Sequence, residues 1–221
     1  MTFWRVSKYN RSNARLSQRE SRATYKCDPG KSGMYFMTNA SHLTETEIMA
    51  GLAEVRESPQ DDGTLSAIVI RPASEERLSL QQCRLSSEGG TEGDAWARGC
   101  WLKLPDGRPN PDVQICMMNS RMINLVAVGK DRWELAGDNL FVDLDLSRDN
   151  LQAGQLLSIG ECVIEITEQS HNGCGKFSRR FGASALKVVN SPTGKELRLR
   201  GIYAKVIKAG DVRVGDLITK L

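Results

Sequence analysis

The loop at residues 169–182 contains the side chains best suited to chemistry. Cys174 lies between two glycines, where an alternating apolar run ends and a helical pattern begins. The unpaired N–H groups of a helix N-terminus favour an anion, so we expect them to lower the pKa of the Cys174 thiol. A thiolate in that position could act as a nucleophile, a persulfide carrier or a soft metal ligand. The alternative is a small buried cysteine that only packs inside a glycine turn.

Polar residues on both sides of Cys174 could assist any of these roles. His171, three residues earlier, could relay a proton or hydrogen-bond a ligand, although a loop histidine also commonly caps a backbone group. The predicted helix would carry positive charge close to the sulfur. Its cationic side chains are Lys176, Arg179 and Arg180.

Basic residues near the C-terminus are candidates for holding a phosphate. Alternating apolar residues predict a long final strand over residues 197–207, which would carry Arg198 and Arg200. If both face the Cys174 loop, their guanidinium groups could bind a phosphate bidentately. Otherwise, together with Lys195, they form the solvent face of that strand.

Two other glycine-containing loops carry polar groups that could contact a ligand. The first, residues 89–99, is rich in glycine and is otherwise a mobile surface loop. The second, residues 136–140, leads into an apolar run, where polar side chains also serve simply as turn residues. The side chains of interest are Asp94, Trp96 and Arg98 in the first loop and Asp138 and Asn139 in the second.

Short apolar or alternating runs, separated by Gly, Pro, Asp or Ser, dominate the chain from residue 64 onwards. Many short strands with turn signals between them indicate an all-β sandwich or barrel. We therefore predict a mainly β, barrel-like fold with a few short helices, which is α+β by strict count. The predicted strands lie within residues 65–71, 77–85, 100–104, 113–117, 140–144, 156–159, 162–167, 197–207 and 212–217.

Four local patterns refine this prediction. Thr44, followed three residues later by glutamate, has the form of a capping box that begins a helix. Gly160 fits a hairpin turn, and the change of parity at Gly201 indicates a β-bulge in the last long strand. Residues 176–189 have helical periodicity, and Gly182 is the expected place for a break.

Composition and charge exclude several classes of protein. The apolar stretches are far shorter than the roughly 20 residues of a membrane-spanning helix. Residues 1–36 carry a net charge of +6, which leaves −3 for the remainder and no basic surface there for nucleic acid. We interpret residues 1–36 as a disordered tail, an organelle-targeting peptide or a non-native extension ahead of Met37. A helix and linker follow at 37–63, and the main domain occupies 64–221.

The six cysteines are scattered rather than paired by spacing. No secretory signal precedes them, so reduced thiols in a cytoplasmic protein are expected, with organelle targeting by the N-terminal segment as the alternative. The chain has no Cys-x-x-Cys pair, and its only histidines are His42 and His171. A structural zinc site is therefore not expected.

The polar loops, taken in order with the C-terminal segment, resemble a MOSC domain, the module named after the C-terminal part of molybdenum-cofactor sulfurases. The resemblance covers roughly residues 64–219 and corresponds to a short stand-alone form. The segments that carry it are Gly93-Asp94, residues 136–140, the loop 171–177 around Cys174, residues 197–202 and residues 212–216.

The resemblance implies a β-barrel-like fold in which Cys174 is the family's central cysteine. In the sulfurases, the module is thought to handle the molybdenum cofactor and sulfur from a pyridoxal-phosphate-dependent cysteine desulfurase. In related reductases, including the mitochondrial amidoxime reducing component, the matching cysteine ligates molybdenum, and the enzyme reduces N-hydroxylated compounds. In this chain, pyridoxal phosphate would belong only to a partner enzyme, and electrons would come from an electron-donor protein.

Two functional hypotheses follow from the resemblance, and a third assigns no chemistry to Cys174. The first is a molybdenum-cofactor protein that acts on a small-molecule substrate, with Cys174 as metal ligand and catalytic residue and His171 as a second catalytic residue. The second is a persulfide carrier that receives sulfur on Cys174. The third is a non-enzymatic binding barrel with Cys174 in its core. The expected cofactor-binding residues are Lys176, Arg179, Arg180, Arg198, Arg200, Asp94 and Asn139.

Overall fold

The computed structural model describes residues 42–221, and its main feature is a closed β-barrel. The strands of this part of the chain are β1 (Gly63–Ile70), β2 (Leu78–Leu80), β3 (Gln82–Ser86), β4 (Gly90–Thr91), β5 (Ile115–Asn119), β6 (Leu140–Asp143), β7 (Leu156–Ile159), β8 (Cys162–Ile166), β9 (Ile202–Lys208), β10 (Gly210–Arg213) and β11 (Leu217–Lys220). The α-helices are α1 (Glu45–Arg56), α2 (Trp96–Gly99), α3 (Ser120–Ala127), α4 (Gly175–Phe181), α5 (Ala183–Asn190) and α6 (Pro192–Glu196), with 3₁₀ helices at Pro111–Val113 and Lys130–Ala136.

Seven strands close the barrel in the order β11-β7-β8-β9-β5-β6-β1, and β1 pairs back to β11 with Gly63 opposite Ile218. Strand β2 extends the sheet beside β1, while β10, β3 and β4 form a separate three-stranded sheet. Strands β5 and β6 run parallel, and the other described pairs are antiparallel. The predicted mainly β, barrel-like fold with short helices is confirmed.

Two apolar clusters lie on the two faces of strands β5 and β6. Met117 and Leu140 belong to the barrel interior, whereas the next residues, Met118 and Phe141, pack against the helices. Successive side chains of a strand point to opposite faces, so strands covered on both sides must be apolar throughout. Helices α1, α3, α4 and α5 supply the outer cluster through residues that include Ile48, Met122, Phe177 and Ala185.

Three local predictions are confirmed. Thr44 caps α1, with both hydrogen bonds of the capping box present. Gly160, at a φ of 54°, lies in the turn between β7 and β8, where Ile159 pairs with Cys162. The predicted helix at 176–189 breaks at Gly182 into α4 and α5, because the φ of 96° at this residue is incompatible with a continuing helix.

One predicted strand is wrong, and two others have wrong bounds. Residues 100–104 form bends, with only an isolated bridge between Lys103 and Pro109, and Cys100 packs instead beside Trp96 and Tyr203. In the run 197–207, strand structure begins only at Ile202. The run 212–217 divides between β10 and β11, and the apolar stretch that forms α3 was not predicted as a helix.

The residues before β9 are not strand because a helix and a tight turn precede it. Ser191 caps α6, which has Pro192 at its first position, a favourable helix start. Arg198 and Gly201 then adopt left-handed backbone, with φ of 47° and 104°. Gly201 permits a close approach to the carbonyl of Met117, rather than forming the bulge predicted from the parity change. Lys195, Arg198 and Arg200 therefore lie in α6 and its following turn, not on a strand face.

The five cysteines among residues 42–221 are free thiols: Cys83, Cys100, Cys116, Cys162 and Cys174. No three metal-ligating side chains of this part of the chain are grouped closely enough to hold an ion, and none of its helices has the length and apolarity to cross a bilayer. The tail predicted at residues 1–36, and Cys27 within it, lie outside the described residues.

Replacing Gly201 by alanine is expected to destabilise the fold strongly. An added Cβ would overlap the backbone carbonyl of Met117, and the φ of 104° would be strained as well. The expected loss is about 3 kcal/mol of unfolding free energy, measured by urea denaturation. Gly107→Ala is the control, because its φ is 83° but its added Cβ meets no atom within 4 Å; a loss of about 1 kcal/mol is expected. Equal losses in the two variants would contradict the steric argument.

Candidate functional site

Cys174 is the exposed member of the five described cysteines, and it lies at the N-cap of α4. Partial burial alone would raise the pKa of its thiol. The backbone N–H groups of Phe177 and Lys176, with the charges of Arg200 and Lys176, more than offset this and lower the pKa below its ordinary value. Exposure and a stabilised thiolate argue against the reading in which Cys174 is only a core residue.

A buried ion pair lies beneath the Cys174 loop. The Arg200 guanidinium donates to both carboxylate oxygens of Asp138, at 2.9 and 2.7 Å, and to the Ala136 carbonyl at 3.1 Å. Its plane lies over the Phe177 ring, with 5.1 Å between the guanidinium carbon and the ring centroid. Arg200 thus joins the turn before β6 to the first turn of α4, and its charge contributes to the lowered pKa of the Cys174 thiol.

His171 is buried against the same ion pair. Its Nδ1 lies 3.6 Å from Asp138 Oδ1, and its ring packs on Tyr203 with centroids 4.4 Å apart. Burial, followed by the positive charges of Arg200 and Arg71, lowers the pKa of His171 well below its ordinary value. The imidazole is therefore neutral at physiological pH, and the nearby carboxylate favours the tautomer with its proton on Nδ1.

A second buried network surrounds Arg71, a residue not predicted from the sequence. Its guanidinium donates to both Asp94 oxygens, at 2.9 and 3.0 Å, to Asn139 Oδ1 at 3.1 Å and to the Gly137 carbonyl at 2.9 Å. The Asn139 amide also donates to Asp94, at 3.1 Å. The available signal was an arginine directly after the buried strand β1, where a cation requires a buried partner.

The candidate residues Asp94 and Asn139 therefore lie in contact. The two networks are connected through the chain, because Asp138 binds Arg200 and the next residue, Asn139, binds Arg71. Both of these neighbouring side chains are fully buried. Neither is merely a turn residue, because each orients a guanidinium group by hydrogen bonds. The second glycine loop consequently positions the groups that surround the Cys174 loop.

A cleft of about 380 Å³ lies beside these networks. Its lining carries three cations, Arg71, Arg77 and Lys176, against the carboxylates of Glu75 and Asp94. Two aromatic side chains, Trp96 and Trp101, also line it, and Trp101 is 66% exposed. Two buried donors of the cleft-lining residues, Arg77 Nε and Trp96 Nε1, have no hydrogen-bond partner among residues 42–221.

The cations of α4 divide between the cleft and the solvent. Lys176 Nζ and Arg180 Nη2 both donate to the exposed carboxylate of Glu75, at 3.0 and 2.6 Å. Arg180 also donates to the Leu135 carbonyl at 2.7 Å, which holds it in place. Arg179 is exposed to solvent.

Arg198 is not among the residues that line the cleft. Its guanidinium donates to the carbonyls of Leu151 and Leu146, at 2.6 and 3.4 Å, and it lines a separate cavity. The condition under which Arg198 and Arg200 could hold one phosphate, that both face the Cys174 loop from a strand, is not met, because the two residues lie in a turn and their guanidinium groups bind different partners. Arg98 is exposed and donates to the Pro72 carbonyl at 3.0 Å.

The thiol of Cys174 is expected to react far faster than the buried cysteines with iodoacetamide in the native protein. The midpoint of the pH–rate profile should lie below about 8.5, the value of an ordinary thiol, because the thiolate is stabilised. Lys176→Gln should raise this midpoint, whereas Lys187→Gln, which removes an exposed charge from α5, should leave it unchanged. Peptide mass mapping in a Cys27→Ser background measures the rates; labelling no faster than that of Cys83 would contradict the prediction.

His171 is expected to make the protein less stable as the pH falls. Its folded-state pKa is depressed, so the unfolded state binds the proton more tightly and stability is lost below the unfolded value of about 6.5. Between about pH 7.5 and 5.5 the loss through this group is about 1.4 kcal/mol. His171→Gln should flatten this slope in urea denaturation, while His42→Gln, at an exposed side chain, should preserve it. An unchanged slope in His171→Gln would refute the assignment.

Residues 110–219 match the family model of the MOSC domain. YuaD from Bacillus subtilis is a similar solved structure, with 16% identity over 72% of this chain and 94% of that chain and a TM-score of 0.54, which shows a shared fold. YiiM from Geobacillus stearothermophilus has 15% identity over 72% and 75% of the two chains, with a TM-score of 0.48. YiiM from Escherichia coli has 20% identity over 72% and 69%, with a TM-score of 0.46.

No curated protein sequence matches the chain significantly. The matched family segment contains Asp138, Asn139, His171, Cys174 and Arg200, whereas Arg71 and Asp94 precede it. The matched segment includes the loop around the exposed Cys174, and the barrel fold is shared with the solved structure of YuaD. The chain belongs to the MOSC domain family.

Proposed function

We propose that this protein binds a molybdenum-bearing pterin, the molybdenum cofactor molybdopterin, in the cleft, and that the Cys174 thiolate is a ligand of the metal. The observation that carries the proposal is the exposed, anion-stabilised thiol at the N-cap of α4, with Lys176 in the adjacent turn lining a cationic cleft. Thiolate is a soft donor of the kind that soft metal centres prefer.

The chemistry of the cleft fits an anionic, hydrogen-bonding cofactor. Its volume of about 380 Å³ lies in the usual range for small-molecule and cofactor sites. The buried donors Arg77 Nε and Trp96 Nε1, which belong to lining residues, have no partner among residues 42–221, and cations outnumber carboxylates in the lining. No group of three metal-ligating side chains occurs among residues 42–221, so the other ligands of a metal held at Cys174 would come from the cofactor or from solvent.

The residues of the chain have separate tasks in this proposal. Arg71, held by Asp94 and Asn139, keeps a fixed position in the lining of the cleft, so little reorganisation of this side chain would accompany the binding of a ligand. Lys176 and Arg77 supply further positive charge for the pterin phosphate. Arg200 supports the thiolate and holds the first turn of α4 in place.

His171 is proposed as the residue that moves a proton. With the proton of the neutral ring on Nδ1, facing Asp138, the Nε2 lone pair is free to accept another. Because burial and the charges of Arg200 and Arg71 disfavour the imidazolium, the ring would hold this second proton only transiently before passing it on. The bound cofactor would supply two-electron redox chemistry, and reduction of an N-hydroxylated small molecule fits it, with electrons from an electron-donor protein.

A second candidate, the persulfide carrier, is favoured by the exposure and lowered pKa of Cys174. The thiolate would attack the terminal sulfur of a persulfide on a pyridoxal-phosphate-dependent cysteine desulfurase. A new S–S bond forms on Cys174, the donor's S–S bond breaks, and the donor cysteine leaves as a thiolate. The sulfur is transferred without net oxidation, but the cationic cleft and its unpartnered donors would have no part in this reaction.

Native protein from a host that makes the molybdenum cofactor is expected to contain near-stoichiometric molybdenum, and Cys174→Ala is expected to lose it. Elemental analysis by inductively coupled plasma mass spectrometry provides the measurement. Cys83→Ala is the matched control, because burial raises the pKa of that thiol to about 11 and it lies apart from the cleft. Full retention of molybdenum in Cys174→Ala would refute the proposal.

The same preparations distinguish the second candidate. If neither wild type nor variant contains molybdenum, both are incubated with a cysteine desulfurase and cysteine. A gain of one sulfur atom on the Cys174 peptide, absent from other cysteine peptides, would favour the carrier. A lack of transfer would count against it.

A further inference from the structure

A second cavity, of about 160 Å³, borders the Cys174 loop and shares no lining residue with the cleft. It is bounded by residues 167–172, by α6 with the turn that follows it, and by the start of β9. Its lining includes three cations, Arg148, Lys195 and Arg198, and a single carboxylate, Glu168. The cavity therefore has an excess of positive charge.

These charges have no close ion-pair partner in the described chain, although the carboxylate of Glu196 lies near enough to favour the charged form of Arg198. None of the four charged side chains forms an ion pair with a residue among 42–221. Arg198 is only partly exposed, and burial together with the charge of Arg148 lowers its pKa. A partly buried guanidinium beside a second cation is electrostatically unfavourable, and a bound anion would relieve this.

The Arg198 side chain is held in place by an unusual backbone conformation and by hydrogen bonds from one of its terminal nitrogens. Its backbone has a φ of 47°, a left-handed conformation that non-glycine residues adopt at a cost. One terminal nitrogen, Nη1, is anchored on the carbonyls of Leu151 and Leu146. Nε and Nη2 donate to no residue in the described part of the chain, so they remain free for a ligand.

Neutral donors complete the lining. The backbone N–H groups of Ser170, His171 and Asn172 make no hydrogen bond to any described residue. The Ser170 hydroxyl and the Asn172 amide belong to the same segment. Several N–H and O–H donors of lining residues, beside cations, suit a tetrahedral oxyanion, which accepts hydrogen bonds on every oxygen.

We propose that this cavity is a binding site for a phosphate-class oxyanion, held by Arg148, Lys195 and Arg198. Its volume suits one phosphate group rather than a whole nucleotide. Arg148 and Lys195 are exposed, so the ligand is either free phosphate or the terminal group of a phosphomonoester whose remainder lies outside. The proposal does not rest on cofactor binding in the cleft, because the two cavities share no lining residue. His171, proposed above to move a proton, borders this second cavity but is not one of the three cations that hold the anion.

Isothermal titration calorimetry of the full chain with inorganic phosphate, at constant ionic strength adjusted with chloride, tests the site. Saturable binding of one phosphate is expected. Arg148→Ala/Lys195→Ala should weaken it by about tenfold for each cation lost. The control variant Lys103→Ala/Lys208→Ala also removes two positive charges, but from exposed positions outside this cavity, and it should leave the phosphate affinity unchanged.

Two further titrations identify the site and the source of the phosphate. Arg77→Ala/Lys176→Ala, which removes cations of the cleft, should retain the same phosphate affinity. Methyl phosphate that binds as tightly as inorganic phosphate would indicate a phosphomonoester ligand, and much weaker binding would indicate the free ion. The proposal is overturned if phosphate does not bind saturably, if both surface-charge variants lose affinity equally, or if only the cleft variant loses it.

Discussion

The ion pair between Arg200 and Asp138 is the interaction on which the site depends most. Both side chains are buried, so removal of either partner would leave an uncompensated charge inside the protein, at a cost of about 3–5 kcal/mol. The pair connects three parts of the chain: the turn before β6, the turn before β9, and, through Phe177, the first turn of α4. The position of Cys174 is therefore determined by buried electrostatics as well as by apolar packing.

Asn139, the residue after Asp138, extends this buried hydrogen-bond network to the other side of the site. Asn139 binds Arg71, which in turn holds Asp94, so two guanidinium–carboxylate networks meet at consecutive residues of one turn. Strand β6 begins at the next residue and is covered on both faces by apolar side chains. A rigid strand end thus orients the groups around the thiol and those around the cleft together, which suits a site that must be preorganised.

Local signals in the sequence were sufficient where one element determined the structure. The capping box at Thr44, the turn at Gly160 and the break at Gly182 depend on neighbouring residues, and all three are confirmed. The strand predicted over residues 197–207 is too long at its start, because alternating apolar residues also occur where a turn is buried against helices. Leu199 alternates as a strand residue would, yet it packs in the cluster beneath α4 and α5.

The difference between features set by neighbouring residues and features set by distant contacts also explains which parts of the candidate site the sequence could predict. Cys174 at a helix N-terminus is a local feature, and its lowered pKa follows mainly from backbone N–H groups of its own helix. Arg71 lies 68 residues from its partner Asn139, and no short-range pattern indicates such a contact. The local chemistry of the thiol was therefore accessible from spacing, whereas the cationic cleft beside it arises only when the barrel closes. This cleft is what separates the two functional candidates, since a sulfur carrier needs the thiolate alone and a pterin needs both.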